Sequence, residues 1–551
     1  MYERIEFWAV ILLIAGILYI LRKKYKNKKY FENMVDEIMD GKPLKKSYHD
    51  VDYARISRYF KEKSKKEEGF IDDITWNDLD MNSIFEKVNN AISGMGEGVL
   101  YNMLRYPLLN LDSVKTRKKH INMIDDDGLL RRKILGKLVR LKAGSGSNLL
   151  KILFEDTPAS FPSVGLTITL SISLLFCIVL AAINMTAGFF PAFILFIVNM
   201  TMHFKNLKDM KIVCTSVGEG TKLVDGYKGL RKEIKDILGE LPAVDSKIFA
   251  VTSGPLSFLQ GIPDIITEVI RMVFLLDLLF YSKKFKVIKQ YKQDILEVYK
   301  VIGYFDAINS IIMYRNRLKY YSEPYFSDNK KINYKCTSMY HPLLTEPVSN
   351  SVDLKKSVIL TGSNASGKST FLKTAAINTI LSQSLLTSLS KKYEAGFYIV
   401  ITSIALNDSI KDGESYFIAE IKSLKRVLGK LNKEIPVLCI VDEILRGTNT
   451  TERISASAQV LLSFAKNNSL TIAATHDHEL CTILSKHFDN YHFEEKIEDN
   501  NVTFDYLMKK GPSESKNAIK LLEIYEYGSN IIKESNRMYT DFLKTGKWEI
   551  L

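Results

Sequence analysis

The sequence predicts a mainly α-helical N-terminal half carrying about three transmembrane helices, followed by an α/β domain from about residue 325. Three observations carry that prediction. Apolar residues recur at helical spacing, with few prolines, through residues 30–160 and 205–320. Three runs are long and apolar enough to cross a bilayer. From about Tyr321 the pattern changes to short β-branched runs alternating with helical ones, the signature of an α/β sheet. A chain of 551 residues suffices for two or three domains, and 46% hydrophobic composition supplies their cores.

The first span is Ile5–Leu21, almost wholly apolar and followed by Arg22-Lys23-Lys24. A cleaved signal peptide would show small residues at a cleavage site, so a retained anchor is the expected form. Six basic residues between Arg22 and Lys29 flank its C-terminal side, which leaves Met1 outside and the remainder cytoplasmic. Val164–Ile183 and Phe189–Phe204, separated by Asn184-Met185-Thr186, read as a membrane hairpin. Arg140 and Lys142 before it, and Lys205, Lys208 and Lys211 after it, keep both ends on the cytoplasmic side. A buried hairpin of a soluble protein is the competing reading. Ile265–Phe280 is apolar too, but Asp264, Glu268 and Arg271 share one helical face and Asp277 interrupts the run. A core helix is expected there, because charge at membrane depth is costly.

The expected organisation is therefore an anchor and basic flank over 1–29, a helical region over 30–160, the hairpin over 161–204, further long helices over 205–324, and the α/β domain over 325–551. The expected location is the cell membrane, crossed several times, with the α/β domain on the cytoplasmic face. A formal charge of +13 favours an anionic partner, either nucleic acid or a membrane face. Further basic clusters run from Lys115 through Arg131, Arg132 and Lys133 to Lys142, and from Lys283 to Lys292; most read as solvated helix faces. The five cysteines form no CxxC pair, so neither a disulfide framework nor a cysteine metal site is expected.

Chemistry is concentrated in the α/β domain. Ser357–Thr361 reads as a short buried strand, and Gly362-Ser363-Asn364-Ala365-Ser366-Gly367-Lys368-Ser369 follows it before a helical pattern from Thr370. This is G-x-x-x-x-G-K-[ST] in its proper context: glycines let the backbone amides wrap phosphates, and the helix N-terminus adds positive potential. Lys368 is expected to reach the β- and γ-phosphates, and the Ser369 hydroxyl to hold Mg²⁺. Val437–Val441 is an apolar run ending in Asp442-Glu443, which places two carboxylates at the ligand-facing tip of a parallel strand. Asp442 can serve Mg²⁺ through water, and Glu443 can orient or deprotonate the attacking water. Leu470–Ala474 ends at Thr475-His476, where an imidazole can meet the γ-phosphate or that water. Together these tips read as a site for ATP or GTP hydrolysis.

These residues resemble the MutS family of mismatch-repair ATPases. Thr361–Thr370 resembles that family's TGPNMGGKST, Asp442–Thr450 its DEIGRGTST, and Thr475–Leu480 its THxxEL stretch. Asp408–Glu420 looks like the signature segment D-x-I-x-x-G-x-S-T-F-x-x-E, and His341-Pro342 has a counterpart before the P-loop strand. Upstream, Asp72-Asp73-Ile74-Thr75 with Leu79, Gly96, Leu100 and Leu104 resembles the start of the family's helical core. The resemblance is strong over 325–527 and weaker over 70–320. It implies an ABC-type P-loop ATPase specific for ATP with Mg²⁺, acting as a homodimer. Ser415 of one copy would contact the γ-phosphate bound by the other, and the Arg446-Gly447-Thr448 turn would couple the two sites.

There are departures. Ser363, Ala365 and Ser366 replace Pro, Met and Gly, Leu445 replaces the glycine after DEI, and Arg453 stands where many members have glycine. The family's Phe-x-Glu mismatch wedge has no counterpart before the helical region. Phe493-Glu494-Glu495 lies inside the α/β domain, so mismatch recognition itself is not expected. ATP-controlled DNA binding is the first functional expectation. A membrane- or protein-acting ABC-type ATPase without DNA binding is the second. A transporter is the third, disfavoured by only three spans and no LSGGQ-type signature.

Overall fold

The computed structural model describes residues 2–44, 46, 48–68, 70–141, 147–155, 162–241, 244–251, 264–327, 332–363, 365–404, 416–431, 434–498, 501–513 and 518–550. They gather into two compact units. One takes residues 1–68, 86–103 and 116–317; the other takes 69–85, 104–115 and 318–551. The second unit is thus not a simple C-terminal block. Two pieces of the mainly helical region 30–160, residues 69–85 and 104–115, belong to it.

The first unit is built from helices. Ile5–Leu21 lies within the long helix Tyr2–Met39; its side chains through Ile17 lie outside the described residues. The unit's centre is the helix Lys292–Arg315, which is buried along most of its length. Asp306 on that helix is fully buried, and it accepts hydrogen bonds from the amides of Ile92 (2.8 Å) and Ser93 (2.7 Å) and from the Ser93 hydroxyl (2.6 Å). Burial pushes the Asp306 carboxyl up to about 6, against the opposing pull of those bonds. The neighbouring turn approaches so closely that a Cβ on Gly96 would lie 2.3 Å from Asp306 Oδ2. Only glycine fits there. Burial would raise the nearby Glu97 carboxyl, but Lys46 (2.8 Å) and Arg55 (2.9 Å) outweigh it and hold it below its ordinary value.

Two apolar helices, Val164–Ile183 and Met185–Lys205, form a hairpin in this unit. Ser163 and Asn184 cap their N-termini by accepting from Leu166 N (3.2 Å) and Ala187 N (3.2 Å). The expected single core helix over Ile265–Phe280 is instead two helices, Asp264–Val273 and Leu276–Gln290, broken where Leu275 turns left-handed at φ 49°. The break leaves carbonyls without helical donors, and the hairpin supplies replacements. Asn199 Nδ2 donates to Val273 O (2.9 Å) and Ser171 Oγ to Phe274 O (2.7 Å). Leu275 and Leu278 are then buried beside Leu170 and Met202.

Among the described residues the second unit carries three sheets, the smallest of them the antiparallel pair Glu495–Glu498 and Asn501–Phe504. Its main sheet has the order Lys509–Lys510, Phe488–His492, Ser357–Thr361, Ser469–Ala474, Val437–Asp442, Ile399–Ser403, parallel except for the short first strand. The strands Val437–Asp442 and Ser469–Ala474 are buried throughout, which explains why they read as continuous apolar runs rather than alternating ones. A smaller sheet pairs Tyr325–Phe326, Lys392–Ala395, Tyr334–Met339 and Asn350–Leu354. The early pieces dock on this unit through charge. Asp72 caps the helix Asp73–Asp78 by accepting from Thr75 N (2.8 Å) and pairs with Arg426. Asp78 accepts from Thr402 Oγ1 (2.5 Å), and Asp80 pairs with Lys373 (2.8 Å). Arg105 stacks over Trp76 at 4.1 Å and pairs with Asp73 at 2.8 Å, joining the two early pieces to each other.

Gly96→Ala should lower stability by about 2–3 kcal/mol, because the added methyl must displace a carboxylate fixed by three hydrogen bonds. Gly136→Ala, on the helix Gly128–Leu141 with nothing near its Cβ, should instead stabilise by about 0.5–1 kcal/mol. Thermal unfolding of the two variants beside the parent protein checks both signs.

Candidate functional site at the strand tips

The site begins with strand register. Leu360 pairs with Ala474, and Ala474 pairs with Asp442, so three neighbouring strands end at one level. Two more bonds extend the ladder beyond the strands: Thr475 N donates to Leu360 O and Glu443 N to Ala474 O, both at 3.0 Å. The residues after Thr361, Asp442 and Thr475 therefore leave the sheet side by side.

After Thr361 the chain turns at Gly362, with φ at +137°, and a Cβ there would lie 2.4 Å from Phe493 O. Ser366 Oγ closes the loop onto Ser363 O (2.7 Å), and Gly367, also at positive φ, caps the helix Lys368–Leu385. Lys368 lies within the loop, donating to Gly362 O (2.7 Å) and Ser363 O (2.8 Å). Burial pulls its ammonium down to about 8, with Asp442 raising it and Arg446 lowering it further. Ser363 Oγ is buried without a hydrogen-bond partner. A loop of glycine-enabled amides, a buried lysine and an orphan hydroxyl fit an anion. Asn364 and Ser415, with the rest of 408–415, lie outside the described residues.

On the next strand but one, Asp442 ends the buried run, and the chain enters left-handed backbone at Glu443 (φ 54°) and Leu445 (φ 57°). Such conformations cost a non-glycine residue about 1–2 kcal/mol and need external support. Glu420, on the helix Tyr416–Leu428, supplies it by accepting from the amides of Leu445 and Arg446. Burial raises the Glu420 carboxyl, and those amides oppose the rise. Leu445 itself is buried in the cluster formed by Ile444, Leu461 and Leu480. Glu443 meets two side chains: His476 Nε2 lies 3.1 Å from Oε1, and the Arg446 guanidinium pairs with Oε2. Burial, then the positive charges of Lys368 and Arg446, hold His476 below its ordinary value, so it is neutral near pH 7.

Beside the loop opens a cavity of about 570 Å³, lined by residues including His341, Leu344, Val348, Ser369, Phe493 and Tyr506. Its size falls in the range of small-molecule sites. Tyr506 lies against the loop, 3.2 Å from where a Gly367 Cβ would stand. Asn350 fixes it from both sides, donating to Tyr506 O (3.0 Å) and accepting from Met508 N (2.8 Å). Sequence reading did not single out Asn350 or Tyr506, because neither stands in a motif. For a metal, the nearby oxygen donors are the exposed Ser369 hydroxyl and the Asp442 carboxylate. Among the described residues no three His, Cys, Asp or Glu side chains gather as a metal cage. That donor set suits Mg²⁺, which is usually held by one or two protein oxygens together with substrate phosphates. Lys368, Asp442, Glu443 and His476 are thus brought together, and Ser369 opens into the adjoining cavity.

Residues 358–543 match the family described as MutS domain V. The chain is 27% identical over 281 residues to MutS protein homolog 4 of Homo sapiens, covering 47% of this chain and 29% of that protein. It is 27% identical over 267 residues to the DNA mismatch repair protein MutS of Thermotoga maritima, covering 46% and 32%. A third similarity, 26% over 269 residues, is to the DNA mismatch repair protein MutS of Geobacillus sp. (strain WCH70), covering 46% and 30%. The chain therefore spans less than a third of the length of each of these relatives.

Because phosphate needs the charged ammonium, a Lys368 that loses its proton near pH 8 must regain it on binding. Triphosphate nucleotide affinity should accordingly be flat below pH 7 and fall as pH rises through 8, by about tenfold per unit at the steepest. Calorimetric titration at pH 8.5 in two buffers of different ionisation enthalpy should record proton uptake; none would be expected of a lysine already charged.

Proposed function

We propose, from the match of residues 358–543 to MutS domain V and the likeness to MutS proteins, that this chain is a membrane-anchored MutS-family ATPase, hydrolysing ATP at composite sites between two copies and coupled to DNA. The observation that carries the hydrolytic reading is the meeting of Lys368, Glu443 and His476 at three adjacent strand tips. ATP phosphates would lie along the loop 362–370, with the base in the cavity walled by Tyr506 and His341. Mg²⁺, held by Ser369 and Asp442, would neutralise charge on the phosphates when bound.

Hydrolysis then divides among this chain's own side chains. Lys368 exchanges its two loop carbonyls for phosphate oxygens. Glu443 orients the water and accepts its proton as the oxygen attacks the γ-phosphorus and the bond to the departing ADP oxygen breaks. Neutral His476, with Nε2 3.1 Å from Oε1, gives its single N–H to the Glu443 carboxylate and so orients it toward the water. Arg446 pairs with the other oxygen of Glu443, so in this reading that carboxylate serves as a base once the pair opens. Ser415 of the opposing copy would complete the γ-phosphate contacts.

Two features support the assembly. The helix Ser529–Thr545 has no buried residue and leaves Ile531 and Leu543 exposed, a surface suited to a second copy. The helices Val164–Ile183 and Met185–Lys205 have mean hydropathies of 2.6 and 1.7, and large side chains such as Phe176 and Phe190 point outward. That arrangement supports a bilayer around the hairpin, with Ile5–Leu21 as a third span. The proposed protein is accordingly multi-pass in the cell membrane, with its ATPase domain on the cytoplasmic face. The same hairpin favours a second reading, in which a membrane or protein partner rather than DNA is the regulated load.

Glu443→Gln should retain ATP and stall with two copies associated, whereas Lys368→Ala should lose nucleotide affinity. Unchanged turnover in the first, or normal binding in the second, would reject the corresponding assignment. Steady-state ATPase of the detergent-solubilised chain, with homoduplex, mismatched and branched DNA at two salt concentrations, decides between the loads. Salt-sensitive stimulation favours DNA; turnover indifferent to every DNA favours the membrane or a protein.

A further inference from the structure

Arg453 stands one turn into the helix Thr450–Lys466, immediately after the Glu443–Thr448 turn. Its guanidinium forks onto Asp477, Nε donating to Oδ2 at 2.9 Å and Nη2 to Oδ1 at 2.7 Å. Both side chains are partly buried, and the pair is bidentate, the geometry in which an arginine–carboxylate contact gains orientation as well as energy. Asp477 is the residue after His476. On the other side of His476, Thr475 N is tied to Leu360 O at 3.0 Å, and Thr475 Oγ1 accepts from Asp477 N at 3.0 Å. The imidazole itself is 42% exposed, so packing alone does not hold it over Glu443. Its backbone is held at both ends instead, upstream by the sheet and downstream by Arg453.

We propose that Arg453 is a positioning residue for His476, locking the loop so that the imidazole stays against Glu443 and moves together with the Glu443–Thr448 turn. This rests on the hydrolytic reading above. Arg453 acts through Asp477, the neighbour of His476, and not on the reactants. It links the helix carrying the carboxylate turn to the loop carrying the imidazole, and so turns two strand tips into one rigid piece. Glycine at this position could not make the link. A lysine, with a single ammonium, could hold the charge but not the fork.

The test compares turnover and the affinity for a fluorescent ATP analogue in the full-length protein, R453G, R453K, the exchange R453D/D477R, H476A, and R453G combined with H476A. The expected result is a loss of about tenfold to hundredfold in kcat for R453G, with nucleotide affinity within twofold of the parent. R453K should be intermediate and the exchange should recover turnover. R453G should cost nothing further once His476 is alanine, because the two residues act through one group. Three outcomes would overturn the assignment: an equal loss in the H476A background, a loss of affinity in place of kcat, or turnover indifferent to R453G. A parent protein that binds the analogue but never turns over would remove the hydrolytic reading, and with it this role.

Discussion

The whole candidate site depends on one backbone constraint, the register that sets Leu360, Ala474 and Asp442 level across three parallel strands. Parallel pairing lets each strand end at the same edge of the sheet, and the helices that follow must then begin there. A phosphate loop, a carboxylate pair and an imidazole that are far apart in sequence become neighbours without any direct bond between their side chains being needed first. The bonds from Thr475 and Glu443 to the strand-terminal carbonyls carry that order one residue beyond the sheet. A slip of one residue between any two strands would turn the tips apart.

At those tips local preference and global demand conflict. Glu443 and Leu445 occupy left-handed backbone without glycine's freedom. Leu445 compensates through burial, since a fully covered leucine contributes about 1.5–3 kcal/mol, comparable with or larger than the conformational cost. Glu420 compensates in a second way, by satisfying the amides that the turn exposes. Strain held by a buried carboxylate from another element is a common mark of a functional turn. It also explains how leucine is accommodated where the resembling family has glycine.

Much of this site was legible in the sequence. Lys368, Asp442, Glu443 and His476 each follow a short apolar run, and a buried strand followed by a polar tip needs no long-range information to be recognised. The first hairpin helix, Val164–Ile183, was legible for a similar reason, but the second begins at Met185, four residues before the expected Phe189, because Asn184 alone caps it and makes the turn. Four things were not. Tyr506 and Asn350 wall the cavity from segments with no motif. The break at Leu275 depends on hydrogen bonds from Ser171 and Asn199, which periodicity cannot foresee. Arg453 read only as a departure from glycine, because its partner Asp477 lies on another element. The docking of Asp72 on Arg426 joins residues 354 apart, far beyond any local pattern.

That last contact has a consequence for how the protein is made. The helix Asp73–Asp78 leaves the ribosome early, yet Thr402 and Arg426, which complete its hydrogen bonds, arrive more than three hundred residues later. At roughly 5–20 residues per second the wait is on the order of tens of seconds. During that interval Asp72 and Asp78 have no partners from the later segment, and the apolar hairpin emerges in between. The α/β domain therefore cannot finish assembling as its own segment is synthesised. It closes only when the newest part of the chain returns to one of the oldest, after the hairpin has already been delivered to its surroundings.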